Sequence, residues 1–269
     1  MKKINGKKIA SEIIESLKSK PVPKKIFAAV LVGDNPANAS FLKQKEKAAK
    51  ELGLDFRIYE FPENSETEQL KKEISKISGL KNVGAVLVQL PLPAHIDARL
   101  VLSAIPKEKD VDVLGESALG AFYNEKNKVL PPAVLAVKKI LESENFNIEA
   151  GKAAVVGLGF LVGRPVAVWL MKKTKGLYLL DKGSDFGILK EADLVVSAAG
   201  HAGLIKNKDL KKGASVIDFG FSLKGGAITG DFDVSGAEGL NFYTPMPGGT
   251  GPILVAGLLK NFYDLNDGE

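Results

Sequence analysis

Short apolar runs alternate along this chain with segments whose apolar residues recur at helical spacing. IFAAVLV (26–32) precedes a helical pattern from about Ala39 to Leu52, FRIYEF precedes another from about Thr67, and VGAVLVQL (83–90) follows it. That order predicts βαβ units and a parallel sheet. Ser65 with Glu68 three residues on reads as a capping box for the helix at Thr67. Beyond Asp112 the periodicity lapses until PAVLAVKKILES (132–143), so AFYNEKNKVLPP reads as a crossing between domains. A second series follows, with strands expected at KAAVVG (152–157), LYLL (177–180), DLVVSAA (193–199), ASVIDFG (214–220) and LNFYT (240–244), and a last helix from Pro252. This is the spacing of a dinucleotide-binding sheet.

The opening MKKINGKKIASEIIESL carries the lysines of a signal peptide, but Ile9, Ile13, Ile14 and Leu17 stand at helical spacing among charges, which predicts a helix of the folded domain. No apolar run approaches the roughly 20 residues of a membrane span, and a cytoplasmic enzyme without membrane or nucleic-acid partners is expected. The net charge of +5 comes from lysines scattered between acids, with Arg only at 57, 99 and 164. That is a solvated surface rather than a nucleic-acid footprint. At 269 residues and 45% hydrophobic content the chain can fill two modest cores. It has no cysteine and only His95 and His201, which excludes disulfides, thiolate chemistry and a multi-imidazole zinc site. No metal is expected, and lysine, aspartate, glutamine and backbone groups are left to do the chemistry.

Four segments carry candidate chemistry. In AAVVGLGFLVGRP (153–165), Gly157, Gly159 and Gly163 lie between a strand and a helix, where glycines let the backbone approach a pyrophosphate at the positive helix end. The spacing is G-x-G-x-x-x-G, and an ordinary glycine turn is the alternative. Lys45 follows Phe41 by four residues, which puts amine and ring on one helix face. Lys43, Lys47 and Lys50 stand nearby, and most lysines in such a run are solvated. Gln89 ends an apolar strand, either as a simple terminator or as a group reaching a ligand beyond the carboxyl end of a parallel sheet. His95 reads as a capping or turn residue ahead of a 97–104 helix. Asp112 in KDVD (109–112) either binds a polar ligand edge or solvates its loop. TPMPGGTGPILVAGLL combines a proline turn with glycines and a helix start capped by Thr250 or Gly251.

VQLPLPAH (88–95), PKEKDVD (106–112), VGLGFLVGRP (156–165) and TPMPGGTGP (244–252) occur in the order and spacing of the bifunctional methylenetetrahydrofolate dehydrogenase/cyclohydrolase family, which the chain resembles from near VGDNPANAS to Asn261. The resemblance implies two α/β domains: a parallel-sheet folate domain (1–120 and 249–269) and a Rossmann-type NAD(P)-binding domain (121–248). It implies oxidation of methylenetetrahydrofolate by NAD or NADP, hydrolysis of the methenyl product to formyltetrahydrofolate, a place in one-carbon metabolism, and a homodimer. Lys45 matches the family's catalytic lysine, Gln89 the glutamine that holds it, and Asp112 the pterin-binding aspartate. Phe41, Leu90, Pro91, Pro247, Gly248 and Gly249 would contact the folate. Gly157, Leu158, Gly159, Gly163, Arg164, Pro165, Asp181, Ala199 and Gly200 would bind the cofactor.

The chain departs from the family at Phe41, usually tyrosine, at Val113, usually glycine, at LPPAV in place of the P-C-T-P crossing, and at Leu158, where NADP-using relatives often carry arginine. Leu158 and the acid at Asp181 favour NAD. Two rivals stand beside this reading: a dehydrogenase for another small metabolite, as in the shikimate and amino-acid dehydrogenases, and a non-catalytic folate- or nucleotide-binding relative.

Overall fold

The computed structural model describes residues 2–224, 227–236 and 238–268. In chain order the strands and helices are β1 (Lys2–Lys3), α1 (Gly6–Lys18), β2 (Ile26–Val32), α2 (Pro36–Glu51), β3 (Asp55–Phe61), α3 (Thr67–Gly79), β4 (Val83–Val88), α4 (Ala98–Leu102), α5 (Glu116–Tyr123), α6 (Pro132–Ser143), β5 (Lys152–Val156), α7 (Gly163–Leu170), β6 (Gly176–Leu180), β7 (Leu194–Ser197), β8 (Ser215–Asp218), β9 (Ser222–Lys224), β10 (Ala227–Thr229), β11 (Phe242–Tyr243) and α8 (Thr250–Leu265). They fall into two compact units, one of Glu12–Pro132 with Val255–Glu269 and the other of Met1–Ser11 with Ala133–Leu254.

In the first unit the sheet order is β3-β2-β4, with both pairings parallel. All seven residues of β2 and all six of β4 are buried, as expected of parallel strands covered on both faces. Phe27 stacks on Phe262 and meets Phe56, joining β2, α8 and β3 in a core with Leu42, Leu87 and Leu259. A parallel bridge between Val86 and Asp110 extends this sheet past β4, and Val86 N donates to Lys109 O. Asn35 starts α2 by accepting from the amides of Ala37 and Asn38, with Pro36 at the first helical position.

The second unit holds a six-stranded parallel sheet in the order β1-β11-β8-β7-β5-β6. From β5 the chain runs outward to β6 and then returns to the other side of β5 for β7. The strand order therefore reverses at the carboxyl end of β5, where open α/β sheets bind ligands. A small antiparallel pair, β9 and β10, stands apart from this sheet.

Four expectations from the sequence need correction. Ser65 does not cap α3: its Oγ donates to Pro62 O at 2.6 Å, and Glu66 occupies the cap position without a side-chain hydrogen bond. Of the two readings of His95 the turn holds and the helix cap does not. The His95 Nε2 meets Ser65 O, and Asp97 caps α4 through the amides of Arg99 and Leu100. The stretch after Asp112 contains α5, an eight-residue helix that takes in the AFY of the expected crossing. The N-terminus groups with the six-stranded sheet, because Lys2 and Lys3 pair with Phe242 and Tyr243.

Candidate active site

In the first unit Lys45 Nζ donates to Gln89 Oε1 at 2.9 Å, joining groups 44 residues apart. Lys45 comes from the middle of α2 and Gln89 from the carboxyl end of β4, its amide tied to Val30 O. Gln89 is buried at 5% exposure, and its Nε2 donates to Leu90 O at 2.8 Å. That bond occupies the amide nitrogen, so the amide oxygen is the atom turned to the lysine. Asn38, also buried, donates to Pro91 O at 2.9 Å and fastens α2 to the turn that opens with the cis Leu90–Pro91 bond.

Burial holds the Lys45 ammonium below the usual lysine range, against the opposing pull of Asp112. Asp112 is pushed up to about 6, first by burial, with Lys45 lowering it and Asp110 raising it. An amine that sheds its proton more easily and a carboxyl that keeps one more easily form a complementary acid–base pair. Phe41, one helical turn before Lys45, is 40% exposed. An aromatic ring with this exposure offers surface on which a planar ligand can stack.

The Asp112 loop is shaped by a residue that pattern reading passed over. Asp110 is 1% exposed and accepts from the amides of Val113, Leu114 and Gly115 at 2.8, 2.9 and 2.8 Å. Val113 is buried with φ at +57°. No periodicity marks Asp110, and an acid in a KDVD loop looks solvated.

In the second unit β5 runs into Gly157, which has φ +83°; a Cβ there would lie 2.7 Å from the backbone of Ala198 and Ala199. A Cβ on Gly163 would fall 1.9 Å from Gly157 O, so this glycine lets α7 close onto the strand end. The same position on Gly159 meets nothing within 4 Å, leaving its backbone open to a ligand. Arg164 Nε donates to Leu158 O at 2.9 Å and fixes the loop, and Pro165 is buried in the first turn of α7. No side chain caps the N-terminus of α7. Arg164 N donates to Gly159 O and Pro165 has no N–H, so the Gly163 amide and the open backbone at Gly159 are what this end offers the pyrophosphate of a dinucleotide.

Asp181 follows β6 and is exposed, accepting from Lys182 N while its own amide donates to Ser184 Oγ, both at 2.9 Å. Ala199 donates its amide to Asp231, and Gly200, with φ +68°, accepts from Ser222 Oγ. Pro247 follows a cis Met246–Pro247 bond, Gly248 O accepts from Gly6 N at 3.1 Å, and a Cβ on Gly249 would fall 2.5 Å from Pro245 O. The structure thus gathers Lys45, Gln89, Leu90, Pro91 and Asp112 in one unit. Pro247, Gly248 and Gly249 belong to the unit with the glycine loop.

A Rossmann-type unit with a glycine loop, in one chain with a second α/β unit carrying a buried lysine–glutamine pair, defines a two-domain nucleotide-dependent class of α/β protein. Within it the chain belongs to the tetrahydrofolate dehydrogenase/cyclohydrolase family, whose catalytic domain matches residues 4–112 and whose NAD(P)-binding domain matches residues 131–268. The bifunctional protein FolD of Halothermothrix orenii is 36% identical over 273 residues, covering 96% of this chain and 95% of that protein. The Staphylococcus carnosus FolD is 33% identical over 269 residues, covering 96% and 94%. The crystal structure of the Campylobacter jejuni bifunctional enzyme FolD superposes with a TM-score of 0.94 at 33% identity, over 99% of this chain and 98% of that one. The Trypanosoma brucei dehydrogenase-cyclohydrolase, solved with NADP cofactor and inhibitor, gives 0.90 at 28% identity, over 98% and 96%.

Proposed function

We propose that this chain oxidises 5,10-methylenetetrahydrofolate with a nicotinamide dinucleotide and hydrolyses the resulting methenyl cation to 10-formyltetrahydrofolate. The observation that carries this reading is the Lys45–Gln89 hydrogen bond with Asp112 beside it, in a chain of this family. The nicotinamide supplies the hydride acceptor. Asp112 grips the polar edge of the pterin, and Phe41 offers its ring to the pterin face.

Hydrolysis needs a water deprotonated as it adds to the methenyl carbon and a proton returned to the ring nitrogen as the carbon–nitrogen bond breaks. Lys45 serves both steps: burial lowers its pKa and so eases loss of its proton, and the cationic carbon disfavours the protonated form further. Gln89 aims the amine. Gly157, Gly159, Gly163 and the first turn of α7 receive the pyrophosphate, and Ala199 and Gly200 flank the nicotinamide end. The reading carries with it a cytoplasmic location and a homodimer, the latter tested by sedimentation.

The test supplies methylenetetrahydrofolate with NAD or NADP and follows reduced cofactor and methenyl absorbance separately. Lys45→Met is expected to lower methenyl hydrolysis at least about 100-fold while cofactor affinity stays at the parental value. Parental hydrolysis in that variant would remove Lys45 from the mechanism, and an inert parent would leave the non-catalytic rival standing.

NAD is the proposed preference. The Asp181 carboxylate stands where an acid of a dinucleotide fold binds ribose hydroxyls, and it repels a 2′-phosphate. Leu158 stands where NADP-using relatives often carry arginine, so that phosphate partner is missing. A charge pair near the surface at ~4 Å can reach a few kcal/mol before salt screening, enough for about tenfold discrimination. Asp181→Ser is expected to narrow the kcat/KM ratio of NAD to NADP, and a parent using NADP equally well sinks the preference.

A further inference from the structure

Two buried carboxylates of the second unit take no part in the chemistry above. Asp231 is 0% exposed and Asp218 2%, and among the described residues neither pairs with a lysine or arginine. They are close to one another: a Cβ on Gly220 would meet Asp231 Oδ1 at 2.2 Å, while Gly220 N donates to Asp218 Oδ1 at 2.7 Å. Burying a carboxylate without a cation is costly unless several donors converge on it, and here they are backbone amides and one hydroxyl. Asp231 accepts from Ser197 Oγ, Ala199 N and His201 N, each at 2.7 Å. Asp218 accepts from Gly220 N and from Phe232 N at 2.9 Å. Its backbone receives Thr250 Oγ1 at the start of α8, and its amide donates to Thr244 Oγ1 at the head of the PMPGG turn.

The segment they hold borders the glycine loop, since Gly157 has no room for a Cβ against Ala198 and Ala199. It is also exposed at Gly200 and His201, so no packing from above would shape it. We propose that Asp231, braced by Asp218, is a positioning residue of the dinucleotide site, holding the loop after β7 in the form that receives the nicotinamide half of the cofactor. This rests on the dehydrogenase reading.

Asp231→Asn keeps the volume but places a donor against the amide of Ala199 or the hydroxyl of Ser197. The dissociation constant for reduced cofactor, read from its fluorescence, is expected to rise about tenfold or more. kcat at saturating cofactor should stay within about threefold, and affinity for 5-formyltetrahydrofolate, measured by calorimetry, should be parental, because a positioning role acts on one ligand only. Ser197→Ala removes one of the three bonds and is the companion should Asp231→Asn fail to fold; about a threefold rise is expected. Parental cofactor affinity in a folded Asp231→Asn, or in Ser197→Ala where the first does not fold, overturns the inference alone. Equal losses for cofactor and folate overturn it too, marking a general stabilising group. A parent that binds folate but no dinucleotide overturns both this inference and the dehydrogenase reading.

Discussion

At Val113 a β-branched side chain occupies the left-handed region, at φ +57°, beside the residue proposed to grip the pterin. Such a conformation costs on the order of 1–3 kcal/mol, and the fold holds it because Asp110 takes three successive amides, Val113 to Gly115. Glycine, the family's residue at this place, would remove the strain. It would also empty a fully buried site, losing about 1.5–3 kcal/mol of burial, and add chain entropy of about 0.5–1 kcal/mol. The losses outweigh the relief, so Val113→Gly is expected to be less stable by about 1 kcal/mol. Asp110→Ala strands three buried donors at about 1–3 kcal/mol each and should be the more damaging change. Urea midpoints of parent and both variants decide the order; an Asp110→Ala protein as stable as Val113→Gly would show that the loop does not depend on the carboxylate. The departure from glycine was legible in the sequence, but its compensation was not, because what Asp110 does depends on where three amides point.

At the scale of elements, what was readable followed from period and length. The strands at 26–32, 83–88 and 152–156 are apolar on both faces, a pattern solvated structure does not produce, and each lies within a ladder of parallel pairs. The α5 sequence ESALGAFY has two turns, a central glycine and little contrast between its faces, so local periodicity carries no signal for it. The capping box at Ser65 failed for a physical reason also absent from the motif: the carbonyl of Pro62 competes for the hydroxyl, and Ser65 is buried. The candidate site divides the same way. The glycine loop stood out because strand, glycines and helix are contiguous. Lys45 and Gln89 share no local pattern, and only the family resemblance linked them before the fold set them 2.9 Å apart. Asp218 and Asp231 look like ordinary loop acids in the sequence, since carboxylates satisfied by donors from residues 197–201, Gly220 and Phe232 leave no trace in spacing.

Taken over the molecule, each unit carries a carboxyl pushed up to about 6, Asp112 in one and Asp218 in the other, each chiefly by burial. A folded-state pKa above the unfolded value means that the native chain holds protons the unfolded chain has released. The stability from these two groups is therefore fully present below the unfolded value near 3.8 and is lost as pH rises through about 6. Asp110, raised by burial, acts in the same direction. Asp55 and Asp193 are lowered, first by their hydrogen bonds to Arg57 and Lys211, and they act the opposite way, losing their contribution only as pH falls through their folded values. Both are surface pairs, and such pairs are worth little. Between pH 5 and 7 the raised acids dominate, so each unit should melt higher at pH 5. A two-unit shift of a fully buried group would reach roughly 3 kcal/mol; with Asp112 half-buried and part of the titration lying below pH 5, about 1–2 kcal/mol per unit is expected, or several degrees in Tm for units of this size. Calorimetric scans at pH 5 and 7 test this in the parent, Asp112→Asn and Asp218→Asn, with the pH difference in Tm as the readout, because each substitution also shifts stability at both pH values. Each variant should lose the difference in its own unit and keep it in the other. A parent melting at the same temperature at both pH values would show that neither carboxyl titrates in this window.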